Sequence, residues 1–192
     1  MKYFKPLGLP KFYDTVLELN KMIDSGIIHW GDASQVCLNS TNADPNNYTL
    51  GTASLYLDWD KSSSIINNSG MTELIVPRRD IPLNESDFTI LCSQFKNTVF
   101  EVMYDTLKKE FNIGRVRLMK LNPKTCLSWH TDDTNRIHYP MSTQTGCIMI
   151  IEDEMMHIPE NEWWFASTRA TFHTAMNASI KSRIHLVASI ID

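Results

Sequence analysis

The period of hydrophobic and polar positions changes near Gly114. Before it, apolar residues recur at helical spacing in two places. Phe12, Val16, Leu19, Met22 and Ile23 share one face of a helix predicted over residues 11–26, with Gly26 as its C-cap. Phe95, Val99, Val102, Met103 and Leu107 mark a second helix, expected to begin near Ser86 or Thr89 and to end before Gly114. Short strands are predicted at residues 55–59 and 72–76, the second stopped by Pro77. Residues 32–47 are polar and read as a long loop.

After Gly114 the pattern becomes that of strands. Residues 116–121, 136–141, 147–151, 163–166 and 183–191 alternate or form short apolar runs, with turn signals between them. Such a series predicts an antiparallel sandwich or barrel, with the helices on the N-terminal side covering one sheet. The length fits a single domain over 1–192, divided into a helix-rich part with supporting strands (1–113) and a β core (114–192).

Charge and cysteine content narrow the function classes. A net charge of -4 and the lack of any Lys/Arg run argue against a nucleic-acid partner. Arg78-Arg79 reads as a solvated turn. Cys37, Cys92, Cys126 and Cys147 lie far apart with no CxxC pair, which predicts reduced core thiols. No apolar run is long enough to span a bilayer and no signal region is visible, so a cytoplasmic protein without membrane association is expected.

The candidate chemistry sits in the last third. His130-Thr131-Asp132 places an imidazole and a carboxylate two residues apart, on one side of an extended segment. His173 follows, in what reads as a loop between strands, and Arg183 comes ten residues later. Two His and one carboxylate form the ligand set that holds a non-haem Fe(II) on one face and leaves the other for a co-substrate and oxygen. Arg183, at the head of an apolar strand, suits a carboxylate, because its planar fork donates two parallel hydrogen bonds. Asp133 is the rival to Asp132, but in an extended segment it points away. His29 and His157 read as ordinary, His185 as a satisfied core residue, and Trp163-Trp164-Phe165 as core strand with one Trp turned the other way.

Four segments carry a resemblance: Trp129-His130-Thr131-Asp132, Arg136-Ile137-His138-Tyr139-Pro140, His173-Thr174-Ala175-Met176-Asn177 and Arg183-Ile184-His185-Leu186. With them, residues from about Arg115 to Asp192 resemble the 2-oxoglutarate- and Fe(II)-dependent oxygenases, in the aspartyl/asparaginyl beta-hydroxylase-like branch that also includes bacterial proline cis-hydroxylases. The resemblance implies a double-stranded beta-helix (jelly roll, cupin-like) and iron held by His130, Asp132 and His173. It also implies 2-oxoglutarate anchored by Arg183, O2 as oxidant, and a small-molecule or peptide substrate. Arg136 and His138 are implied to line the site and contact 2-oxoglutarate or a substrate carboxylate. Animal protein-hydroxylase members of the branch lack the carboxylate ligand, whereas this chain has Asp132. The alternatives are a cupin-type metalloenzyme that uses no 2-oxoglutarate, for which Arg183 has no role, and a non-catalytic jelly-roll interaction module.

Overall fold

In a computed structural model, residues 1–31, 34–58 and 61–191 are described. β1 (Phe4–Leu7) precedes α1 (Thr15–Asp24), which is followed by β2 (Gln35–Cys37) and β3 (Asn39–Thr41). A hairpin of β4 (Ser63–Ile66) and β5 (Thr72–Ile75) comes next, then β6 (Phe88–Leu91) and α2 (Val99–Glu110). The remainder is strand: β7 (Ile113–Leu121), β8 (Thr125–Cys126), β9 (Asn135–Ser142), β10 (Cys147–Ile151), β11 (Glu154–Met156), β12 (Trp163–Ala166), β13 (His173–Asn177) and β14 (Arg183–Ile190).

The last eight strands divide between two antiparallel sheets. One has the order β1-β12-β9-β14-β7-β2 and the other β11-β10-β13-β8. The chain therefore passes back and forth between the sheets, which is the double-stranded beta-helix. β1 and β2 extend the larger sheet at its two edges.

Strand alternation gives the larger sheet two faces with opposite chemistry. Val116 and Leu118 of β7, Ile137 and Tyr139 of β9, and Leu186 and Ala188 of β14 point outward into the main core. Leu19 and Met22 of α1 and Phe100, Met103 and Leu107 of α2 cover them. The inward face carries Arg115, Arg117, Arg136, His138, Arg183 and His185, all buried. A smaller apolar cluster of Phe4, Met149, Ile151, Ile158, Trp164 and Ala166 fills part of the barrel interior. Trp163 lies in the outer core and Trp164 in the inner cluster, the opposed pair expected from the sequence.

Several expectations are corrected. Within 32–47, β2 and β3 replace the predicted loop. Their polar side chains are internal, with Asn39 donating to the Phe88 and Gly114 carbonyls and accepting from Val116 N–H. The strand predicted over 55–59 is reduced to one bridge, Leu57 to Arg78. The second helix starts only at Val99, because Thr98 caps it by accepting from Phe100 N–H, and β6 occupies the stretch before it. Its predicted face is rotated: Val102 is exposed, while Phe100 and Tyr104 are buried. Cys126 is exposed, unlike the other three thiols, because β8 is a sheet edge. Arg79 is not simply solvated, its guanidinium lying 3.7 Å from Asp58. Asp32 and Trp59, at the ends of two predicted segments, lie outside the described residues.

Candidate metal centre

His130 and His173 meet across an isolated antiparallel bridge. His173 opens β13 rather than lying in a loop. His130 N–H donates to His173 O at 3.1 Å and His173 N–H returns to His130 O at 2.9 Å. Paired in this way, the two imidazoles stand side by side with centroids 4.2 Å apart. Asp132, two residues on, is held by its own bridge to Arg169, its N–H donating to Thr168 O at 3.3 Å. One ligand atom from each of His130, Asp132 and His173 lies within 4.8 Å of the others.

The two imidazoles share a local device. His130 Nδ1 meets Ser128 O at 2.8 Å, and His173 Nδ1 meets Thr171 O at 3.0 Å. A carbonyl only accepts, so Nδ1 carries a proton in both rings and Nε2 is the nitrogen left to face a metal. That is the orientation a metal requires, fixed from behind by the backbone.

Asp132 is oriented by its neighbours. Its Oδ2 accepts from Arg136 Nε at 2.9 Å and lies 3.4 Å from His173 Nε2. Burial alone would raise its pKa, but the His173 hydrogen bond and the Arg136 charge outweigh this and hold it well below the usual carboxylate range. Asp133 points elsewhere and accepts from the Tyr56 hydroxyl at 3.1 Å. Arg136 also donates to Thr134 Oγ1 at 2.7 Å, to Ser189 Oγ, and to Glu85 Oε1 at 2.9 Å.

These residues open on one cavity of about 290 Å³, lined also by His138 and Arg183. Arg183 is buried and forms no ion pair among the described residues. Its hydrogen bond is to His185 Nδ1 at 3.0 Å. Burial lowers its pKa to about 10, which still leaves it a cation at neutral pH. Both ring nitrogens of His138 are buried without a partner. Burial, with Arg183 and Arg136 nearby, pushes its pKa well below the ordinary value, so it is neutral.

The sequence reading thus named residues that the fold brings together, but it missed Glu85, Arg115, Arg117, Gln35 and Ser189. Arg115 and Arg117 had a signal. Arg117 lies inside the predicted strand 116–121 and Arg115 just before it, two residues apart and so on one side of an extended chain. Glu85 had none, since it belongs to a short 3-10 turn (Glu85–Asp87) far from every motif.

The family described as Aspartyl/Asparaginyl beta-hydroxylase matches residues 55–192. No curated protein matches the chain. Similar solved structures include a predicted oxalate decarboxylase from Thermotoga maritima, 14% identical over 71% of this chain and 98% of that one, with a TM-score of 0.37. A cupin domain from Bordetella pertussis is 15% identical over 41% of this chain and 81% of its own, at a TM-score of 0.35. A 2OG-Fe(II) oxygenase family oxidoreductase from Burkholderia pseudomallei is 12% identical over 40% of this chain, at 0.36, and the match spans 43% of that protein.

Proposed function

The chain belongs to the aspartyl/asparaginyl beta-hydroxylase family, and from that membership we propose that it is a 2-oxoglutarate- and Fe(II)-dependent dioxygenase. It hydroxylates an amino acid or an amino-acid residue while 2-oxoglutarate is decarboxylated to succinate. The observation that carries the reading is Arg183, a buried guanidinium with no acidic partner among the described residues, in the same cavity as His130, Asp132 and His173. A buried charge is costly unless paired, so the site favours a ligand that brings a carboxylate.

The residues present fit a divalent metal. Two imidazoles present Nε2 and one ionised carboxylate stands beside them, a set suited to iron with open positions. Iron there would supply the oxygen chemistry that no side chain can perform. The chain's own work is orientation and charge. Arg183 holds the far carboxylate of 2-oxoglutarate and so aligns its 2-oxo acid end with the metal ligands. His138, neutral and without a partner, is the polar contact available to the co-substrate. Arg136 donates to Asp132 and fixes which carboxylate oxygen is left for the metal. We read residues 1–192 as one domain, supported by β1 and β2 completing the larger sheet.

The test is a titration of 2-oxoglutarate into the anaerobic Fe(II) protein, followed by its metal-to-ligand absorption band. Truncating one partner of a buried charge pair costs about 2–5 kcal/mol. At roughly 1.4 kcal/mol per factor of ten, Arg183→Ala should weaken binding by about two orders of magnitude while metal affinity holds. Arg183→Lys should recover part of the loss, keeping the charge without the fork. An Arg183→Ala protein that binds 2-oxoglutarate like the parent removes the anchor and favours a cupin-type enzyme with another co-substrate.

A further inference from the structure

Arg183 is not the only guanidinium of the cavity without an acid. Arg117 projects from the inward face of β7, is buried, and forms no ion pair among the described residues. Its Nη1 donates to Gln35 Oε1 at 2.9 Å, and its Nε has no partner. Burial and the nearby Arg115 and Arg136 charges lower its pKa to about 9, so it remains a cation at neutral pH.

The buried Glu85 carboxylate attracts Arg117 but forms no ion pair with it. Glu85 already accepts from Arg115 Nε and Nη2 at 2.9 and 2.8 Å, from Arg136 Nη2 at 2.9 Å and from Ser189 Oγ at 2.8 Å. A carboxylate offers about four lone-pair sites, and these are taken. Among the described residues, four guanidiniums line the cavity with one carboxylate, Asp132, and a second, Glu85, is paired to two of them from behind. A divalent ion would add two positive charges and a bound dicarboxylate would remove two, so the positive excess survives both.

The two unpaired guanidiniums are rooted at different levels of the wall. Arg117 pairs in register with Val187, which pairs on its other side with His138. Arg183 pairs with Leu121, four residues further along β7, roughly 13 Å at strand rise. The cavity, at about 290 Å³, lies at the small end of ligand pockets. It suits a co-substrate and one small molecule better than a folded peptide segment.

We propose that Arg117, steadied by Gln35, is a second anion subsite of this cavity and binds the carboxylate of a free, amino-acid-sized substrate. This rests on the oxygenase reading, which assigns Arg183 to the co-substrate and leaves Arg117 for the molecule that is hydroxylated.

The experiment uses the full chain loaded with Mn(II), with 2-oxoglutarate affinity measured first by calorimetry. The proteinogenic L-amino acids are then titrated in, and any that binds is compared with its α-carboxamide and with a peptide carrying the same residue internally. At least one free acid should bind, and its carboxamide and peptide should bind at least about thirtyfold more weakly, as expected when one partner of a buried charge pair is lost. Arg117→Gln should weaken the free acid by a similar factor and leave 2-oxoglutarate affinity unchanged, which also shows that the variant is folded. Arg117→Lys should restore part of the acid affinity. The subsite is overturned if no amino acid binds, if amide or peptide binds as well as the acid, or if Arg117→Gln weakens 2-oxoglutarate instead. Failure of 2-oxoglutarate to bind the parent protein overturns the oxygenase reading separately, and the amino-acid arm is then run on the Mn(II) protein alone.

Discussion

At the scale of single residues, adjacent aspartates have opposite fates. Asp132 turns toward two imidazoles and Arg136, while Asp133 turns out to the Tyr56 hydroxyl. The cause is the period of an extended chain, which sends neighbours to opposite sides. Asp132→Ala should therefore abolish tight Mn(II) binding in an equilibrium titration, and Asp133→Ala should retain it. The reverse result would place the ligand register one residue later. This register was legible in the sequence because it depends only on local geometry. The partners of Arg136 were not, because Glu85 and Ser189 come from 51 and 53 residues away.

At the scale of elements, β7 explains much of what the sequence concealed. Its alternation was visible, and an apolar/charged strand ordinarily turns its charges to water. Here the apolar side is covered by α1 and α2, so Arg115 and Arg117 face the barrel interior. Gly114 allows this strand to pass close to the Glu85 turn: a Cβ there would lie 2.4 Å from Glu85 O and 2.8 Å from Ile191 Cδ1. Gly114→Ala should cost about 1–3 kcal/mol, as overpacking typically does, read from the urea midpoint. It should also loosen Glu85 from Arg115, because the contact to be relieved is backbone. A parent-like midpoint would mean that this approach is not tight. The second helix makes a related point. The apolar periodicity located it, but Thr98 as N-cap and the pairing of β6 with β3 decided where it starts.

At the scale of the whole molecule, Glu85 ties the segment before β7 to the barrel. Burial would raise its pKa, but the Arg136 and Arg115 charges prevail and lower it from 4.5 to about 2. A carboxylate with a depressed folded pKa contributes stability that is fully present above its unfolded value and is lost as pH falls through the folded one. Part of the acid unfolding should therefore fall between about pH 4.5 and 2. Glu85→Gln should flatten that limb and cost about 3–5 kcal/mol at neutral pH, since it strands buried guanidiniums. Denaturant unfolding across pH gives both readings, and an unchanged acid limb would show that Glu85 is not the titrating tie. Among the described residues no helix is long and apolar enough to cross a membrane. By itself the sequence determined five of the eight strands after Gly114, the presence of two amphipathic helices and the order of His130, Asp132, His173 and Arg183, because each follows from local period and residue chemistry. Only the tertiary structure decided which face of the sheet became the interior. It also brought Glu85 under Arg136 and left Arg117 and Arg183 without ion pairs among the described residues, because pairing between distant strands depends on closing the barrel rather than on any local pattern.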